Sequence, residues 1–167
     1  INVPVKARML FVIGGGQGSQ LINRAVGDIV PHLLAEFPDL YVVHVAGDKN
    51  LNETKKVYTE YLSKAEKGRV QLVGFTDDVY RFSGAADIVI CRAGATNLAE
   101  FAVQGKACIV IPAAFLTGGH KVKNAEYLAR KHAALVFDES ELPENSTRLA
   151  KVVSGLLRDE ARRKQRG

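Results

Sequence analysis

A chain of 167 residues, 47% hydrophobic and 25% charged, can bury one sizeable core, which excludes a disordered, collagen-like or disulfide-framed molecule. The formal net charge of +5 raises nucleic acid as a partner, but the surplus gathers at the C-terminal end, where Arg158, Arg162, Arg163, Lys164 and Arg166 face only Asp159 and Glu160. No aromatic residue is interleaved there and no nucleic-acid motif precedes it, so the charge reads as a solvated helix end or as a contact with anionic lipid, and nucleic acid is not an expected partner.

Strand-like runs alternate with helical ones along the chain. Met9-Ile13 is followed by a helix over Ser19-Phe37, where Leu21, Ile22, Ala25, Ile29, Leu33 and Leu34 recur at steps of three and four and form one apolar face. A strand at Tyr41-Ala46 precedes a helix over Leu51-Ala65, and a strand at Val70-Val73 precedes a short helix at Val79-Ser83. Ile88-Cys91 leads into a helix over Thr96-Gln104, and Ala107-Ile111 into one over Lys121-His132. Leu135-Phe137 and a final helix from Ser146 to about Arg163 complete the series. This order predicts an α/β fold, a Rossmann-like parallel sheet of six strands between two helical layers, and one domain over residues 1–167. Runs such as "CIVIP" are apolar throughout, as strands covered on both faces should be.

Cys91 and Cys108 each lie in an apolar run without CxxC or metal-ligand spacing, and read as reduced core residues of a cytoplasmic protein. No apolar run approaches the roughly 20 residues of a membrane span, and "INVPVKARML" has no long apolar region or cleavage site, so a soluble chain is expected. His32, His44 and His132 read as packing or surface residues.

Three strand-to-helix loops carry the functional signal. In "FVIGGGQGSQLIN", Gly14, Gly15, Gly16 and Gly18, with Gln17 among them, let backbone turn sharply and approach a ligand at the start of a helix. Ser19 breaks a strict GxGxxG, and a tight turn without a ligand would explain the same glycines. In "ICRAGATNLAEF", Gly94 allows the turn, and the N–H groups of Ala95, Thr96 and Asn97 face outward for an anion. Glu100 lies one turn along, suited to accept hydrogen bonds from a diol such as ribose, or else an ordinary exposed helix residue. In "PAAFLTGGHKVKNAEYL", Gly118 and Gly119 give a turn that brings His120, Lys121 and Asn124 to the head of a helix. Three helix N-termini from successive units would then converge on one crevice.

Taken in order, "GGGQGSQLIN", "GFTDDV", "DIVICRAGATNLAE", "GKACIVIP" and "HKVKNA" resemble the C-terminal, donor-binding half of the MurG family, from about Arg8 to Leu157. These are GT-B glycosyltransferases that pass N-acetylglucosamine from UDP-N-acetylglucosamine to a lipid-linked muramoyl-pentapeptide. The resemblance implies that Gly14 to Gly18 face the diphosphate and that Phe75 and Thr76 flank the uracil. It further implies that Gly94 to Asn97 cradle the phosphates, that Glu100 accepts the ribose hydroxyls, and that His120, Lys121 and Asn124 stand at the sugar. Gly16 stands where a hydroxyl residue is usual, and His120-Lys121 where glutamines are common.

The same resemblance implies an inverting displacement with UDP as leaving group, with no cofactor or metal required, in line with the absence of a DxD motif. Its general base, and a membrane-contacting patch, belong to an acceptor-binding domain whose glycine loops nothing here resembles. That domain is expected in cis or in trans as partner, at the inner face of the plasma membrane, with no catalytic residue on these 167. Two rivals stay open: an NAD-binding oxidoreductase or regulatory module, although Asp48 lies 30 rather than about 20 residues past Gly18, and an interaction module with a vestigial pocket.

Overall fold

In a computed structural model that describes residues 3–92, 94–113, 134–142 and 146–161, all six expected strands form. They are β1 (Arg8–Ile13), β2 (Leu40–Val45), β3 (Val70–Val73), β4 (Ile88–Cys91), β5 (Ala107–Val110) and β6 (Leu135–Val136). Every pairing is parallel and the order across the sheet is β3-β2-β1-β4-β5-β6.

The strand period of two sorts the apolar runs into two cores. Leu10 and Val12 of β1 face one side with Ile22, Ile29 and Leu33 of helix α1 (Gln20–Glu36) and Leu149, Val153 and Leu156 of a C-terminal helix. Met9, Phe11 and Ile13 face the other with Leu98 and Phe101. Phe11, Leu10 and Ile22 are fully buried, each contributing about 2 kcal/mol of hydrophobic stabilisation. Leu21, expected on the apolar face of α1, is instead 37% exposed, because the stripe facing the sheet runs through Ile22, Val26, Ile29 and Leu33.

The helix expected over Leu51-Ala65 is broken. Helix α2 (Leu51–Tyr61) ends where Leu62 turns extended, and Ser63 opens α3 (Lys64–Lys67) with a capping box to Glu66. Helix α4 (Val79–Ala85) runs slightly past expectation, and α5 (Ala95–Val103) begins one residue early. The C-terminal helix, α6 (Ser146–Arg158), is shorter than expected. The expected helix over Lys121-His132 lies outside the described residues.

Cys91 and Cys108 are buried and free, as expected. Hydrogen bonding to Cys108 and burial both push the Cys91 thiol up, which keeps it protonated and unreactive.

Charge fastens the amino edge of the sheet. Arg8 holds Asp39 through two hydrogen bonds of 2.8 and 2.7 Å, keeping that carboxyl below its usual range, and Arg69 donates to the carbonyls of Leu34, Phe37 and Leu40 as α1 ends. The carboxyl edge is left to the loops.

Candidate functional site

Between β1 and β4 the strand order reverses direction, and α1 leaves on one face of the sheet while α5 leaves on the other. The divergence opens a crevice at the carboxyl ends of these two strands, the place where open α/β sheets bind ligands. The first two of the three loops singled out from the sequence border it, and Gly118 and Gly119 of the third lie outside the described residues.

The glycines of the first loop are required for different reasons. A Cβ on Gly14 would lie 2.6 Å from the Ser19 nitrogen, and one on Gly18, at φ +74°, would lie 1.9 Å from the Ala46 carbonyl oxygen. Gly15 takes φ +92°, and its carbonyl accepts from the Gly18 N–H at 3.0 Å to close the turn. Gly16 is exposed with nothing within 4 Å of its Cβ position, so a small side chain would fit there without strain. Ser19, which broke the sequence pattern, is the N-cap of α1 and accepts from the Ile22 N–H at 3.4 Å.

Under this loop lies a polar network that the sequence reading missed. Asn23 Nδ2 donates to the Ala46 carbonyl at 2.8 Å, which turns Asn23 Oδ1 toward His44 Nε2 at 2.9 Å. An oxygen acceptor there requires the proton on Nε2, so His44 Nδ1 accepts from the Tyr58 hydroxyl at 2.8 Å. His44 is fully buried, and desolvation pulls its pKa down to about 3, so the ring is neutral. Asn50 Nδ2 donates to the carbonyls of Gln17 and Ala46, and the Gly47 N–H to the Gly74 carbonyl, tying together the loops after β1, β2 and β3. The sequence marked His44 only as a packing or surface residue; its partners come from α1 and α2.

On the other side of the crevice, Gly94 caps α5 without a side-chain hydrogen bond. The first N–H groups of α5 therefore keep their unpaired, positive character at a helix start where Ala95 and Thr96 are exposed and Asn97 half-buried. Glu100 is exposed one turn further on. Arg92, between β4 and Gly94, donates to Ser19 Oγ at 2.6 Å and to the Ile111 carbonyl at 3.3 Å, and pairs with Glu139 in the turn Glu139–Glu141 after β6. Neither Arg92 nor Glu139 stood out in the sequence, since 47 residues separate them.

Phe75, 59% exposed, and Thr76, whose Oγ1 accepts from the Asp78 N–H at 3.1 Å, follow β3. They sit two strand spacings, about 10 Å, from β1, so a ligand touching both places must be extended. His120, Lys121 and Asn124 lie outside the described residues. Among the described residues no three His, Cys, Asp or Glu side chains are grouped to hold a metal, and no helix is long and apolar enough to cross a membrane. A groove of about 700 Å³ runs between α1 and α6, past His32 and Lys151. Its size does not make it the site, because the glycine loops and the start of α5 lie at the crevice instead.

The chain matches the family described as "Glycosyltransferase family 28 C-terminal domain" over residues 9–167. It belongs to that family. This family 28 domain is 37% identical over 161 residues to a Geobacter metallireducens protein named UDP-N-acetylglucosamine--N-acetylmuramyl-(pentapeptide) pyrophosphoryl-undecaprenol N-acetylglucosamine transferase, covering 95% of the chain and 42% of that relative. A Geotalea daltonii protein of the same name is 40% identical over 133 residues, 80% of the chain and 35% of the relative. Among solved structures, MurG of Acinetobacter baumannii superposes with a TM-score of 0.80 at 24% identity, over 96% of the chain and 43% of MurG. The chain thus spans less than half the length of these relatives. The expected half of a GT-B fold is what the sheet order and this superposition show, and the family match favours neither the NAD reading nor the interaction module.

Proposed function

We propose that residues 1–167 form one UDP-sugar-binding lobe of an inverting glycosyltransferase. It would hold UDP-N-acetylglucosamine while the sugar passes to a lipid-linked peptidoglycan precursor. The observation that carries this reading is the meeting of two helix starts at the β1/β4 crevice, one behind a glycine turn and one without a side-chain cap, in a family 28 domain. Two phosphates bring the negative charge such a crevice is built to receive.

In this reading the Gly14–Gly18 backbone and the N–H groups of Ala95, Thr96 and Asn97 take the diphosphate, with Gln17 at the loop's exposed tip. Glu100 accepts the ribose hydroxyls. Phe75 and Thr76 hold the base, and His120, Lys121 and Asn124 stand at the sugar. The acceptor hydroxyl loses its proton to a base on the acceptor-binding domain, in cis or in trans, and its oxygen attacks the anomeric carbon. The bond from that carbon to the diphosphate oxygen breaks, and UDP leaves with the electron pair. The two helix starts meet the charge growing on the leaving oxygen, a task that asks for no metal.

Replacing Glu100, which is exposed and does not support the core, tests the assignment directly. Glu100→Ala is expected to weaken UDP binding by about 1.5–3 kcal/mol, the range for a lost hydrogen bond to a charged group, without lowering the melting temperature. An unchanged UDP affinity in the folded variant removes Glu100 from the site.

A further inference from the structure

Arg92 stands between the two helix starts. Its guanidinium is bonded to Ser19 after β1, to Ile111 after β5 and to Glu139 after β6, so with its own position after β4 one side chain joins four loops of the carboxyl edge. The Ser19 hydroxyl that it grips is the cap of α1. Its stem runs close to Gly15, with Cγ 4.0 Å from the Cβ position there. The side chains of Arg92 and Glu139 are 19% and 6% exposed, which removes most of the water that would loosen the pair. A planar fork can serve these three acceptors in fixed directions; a lysine ammonium on a flexible stem cannot.

We infer that Arg92 is the positioning residue of the diphosphate subsite. It locks the start of α1 to the start of α5, and Glu139 holds the guanidinium so that it acts through Ser19 rather than by touching phosphate. This rests on reading the crevice as a nucleotide-sugar site.

Calorimetric titration with UDP and with uridine separates the possibilities, because uridine carries the base and ribose without the phosphates. For the chain carrying Arg92→Lys, UDP affinity is expected to fall about tenfold, as for loss of a charge-assisted hydrogen bond, with uridine affinity kept within about twofold. Ser19→Ala should act in the same direction. Adding Arg92→Lys to Ser19→Ala should cost no more than about twofold further, since the arginine acts through the serine. Equal losses for UDP and uridine, an unchanged UDP affinity, or fully additive losses in the double variant would each overturn the inference.

Should Arg92→Lys fail to fold, Glu139→Gln keeps an acceptor for the guanidinium while releasing its charge. With the guanidinium held less firmly, UDP should then bind about threefold more weakly, with uridine unchanged. No change in UDP affinity would contradict the role given to Glu139. If the unaltered chain binds neither ligand, the nucleotide-site reading falls and this inference with it, a result distinct from any difference between variants.

Discussion

On the β2 and β3 side of β1, the loops are stitched by neutral hydrogen bonds that end on a fully buried imidazole: Tyr58 to His44, His44 to Asn23, Asn23 to the Ala46 carbonyl. On the β4, β5 and β6 side, one guanidinium and one carboxylate do the same work. The neutral side sits against glycines that leave no room for a Cβ, so its geometry is set by contact and its weakness is protonation. The charged side depends on long-range attraction and a planar fork, so its weakness is the loss of either partner.

The sharpest way to break the neutral side is steric. Gly18→Ala puts a methyl group 1.9 Å from the Ala46 oxygen in a backbone conformation that alanine resists, and is expected to cost more than about 3 kcal/mol of stability in a denaturant titration. Gly16→Ala, two residues away in open space, should stay within about 0.5 kcal/mol.

Acid comes next. His44 is neutral in the fold with a pKa of about 3, against 6.5 for the free side chain. The unfolded chain therefore takes up a proton first as pH falls. The stability that this residue contributes is complete above pH 6.5 and is lost progressively as pH drops toward 3. The loss is on the order of 3 kcal/mol by about pH 4, readable as a falling melting temperature. His44→Gln, which keeps a donor for Asn23 but cannot ionise, should flatten that slope.

On the charged side, Glu139→Ala leaves Arg92 largely buried without its carboxylate and should cost about 2 kcal/mol. Glu53→Ala removes the exposed partner of Arg24, at 3.0 Å with side chains 64% and 49% exposed, and should cost less than about 0.5 kcal/mol. If the two substitutions cost the same, burial does not distinguish the pairs as described.

On both sides the sequence revealed the strands and the glycine turns but not the polar network behind them. β1, β2, β4 and β5 were legible because apolar runs buried on both faces have few alternatives. The half-buried and exposed edge strands β3 and β6 were legible from their place in the alternation with helices, and the glycine loops were legible because turns at strand ends need those residues. The break after Tyr61 was hidden because helical spacing continues across Leu62, and only the capping box of Ser63 with Glu66 restarts the helix. Within the site, Gly14, Gly18 and Gly94 carried a local signal. Arg92 and Glu139, and His44 with Asn23 and Tyr58, did not, because each depends on partners brought together only by the crossing of strands and helices.

A modest effect on binding rather than on stability refines the nucleotide reading. Gly16→Ser adds a hydroxyl in the open space at the loop tip and should tighten UDP binding about threefold, the gain of one modest hydrogen bond.

The most direct measurement is calorimetric titration of the unaltered chain with UDP, UDP-N-acetylglucosamine, UDP-glucose and NAD. The account predicts binding of the uridine nucleotides and none of NAD. Binding of NAD alone, or of no nucleotide, would contradict it.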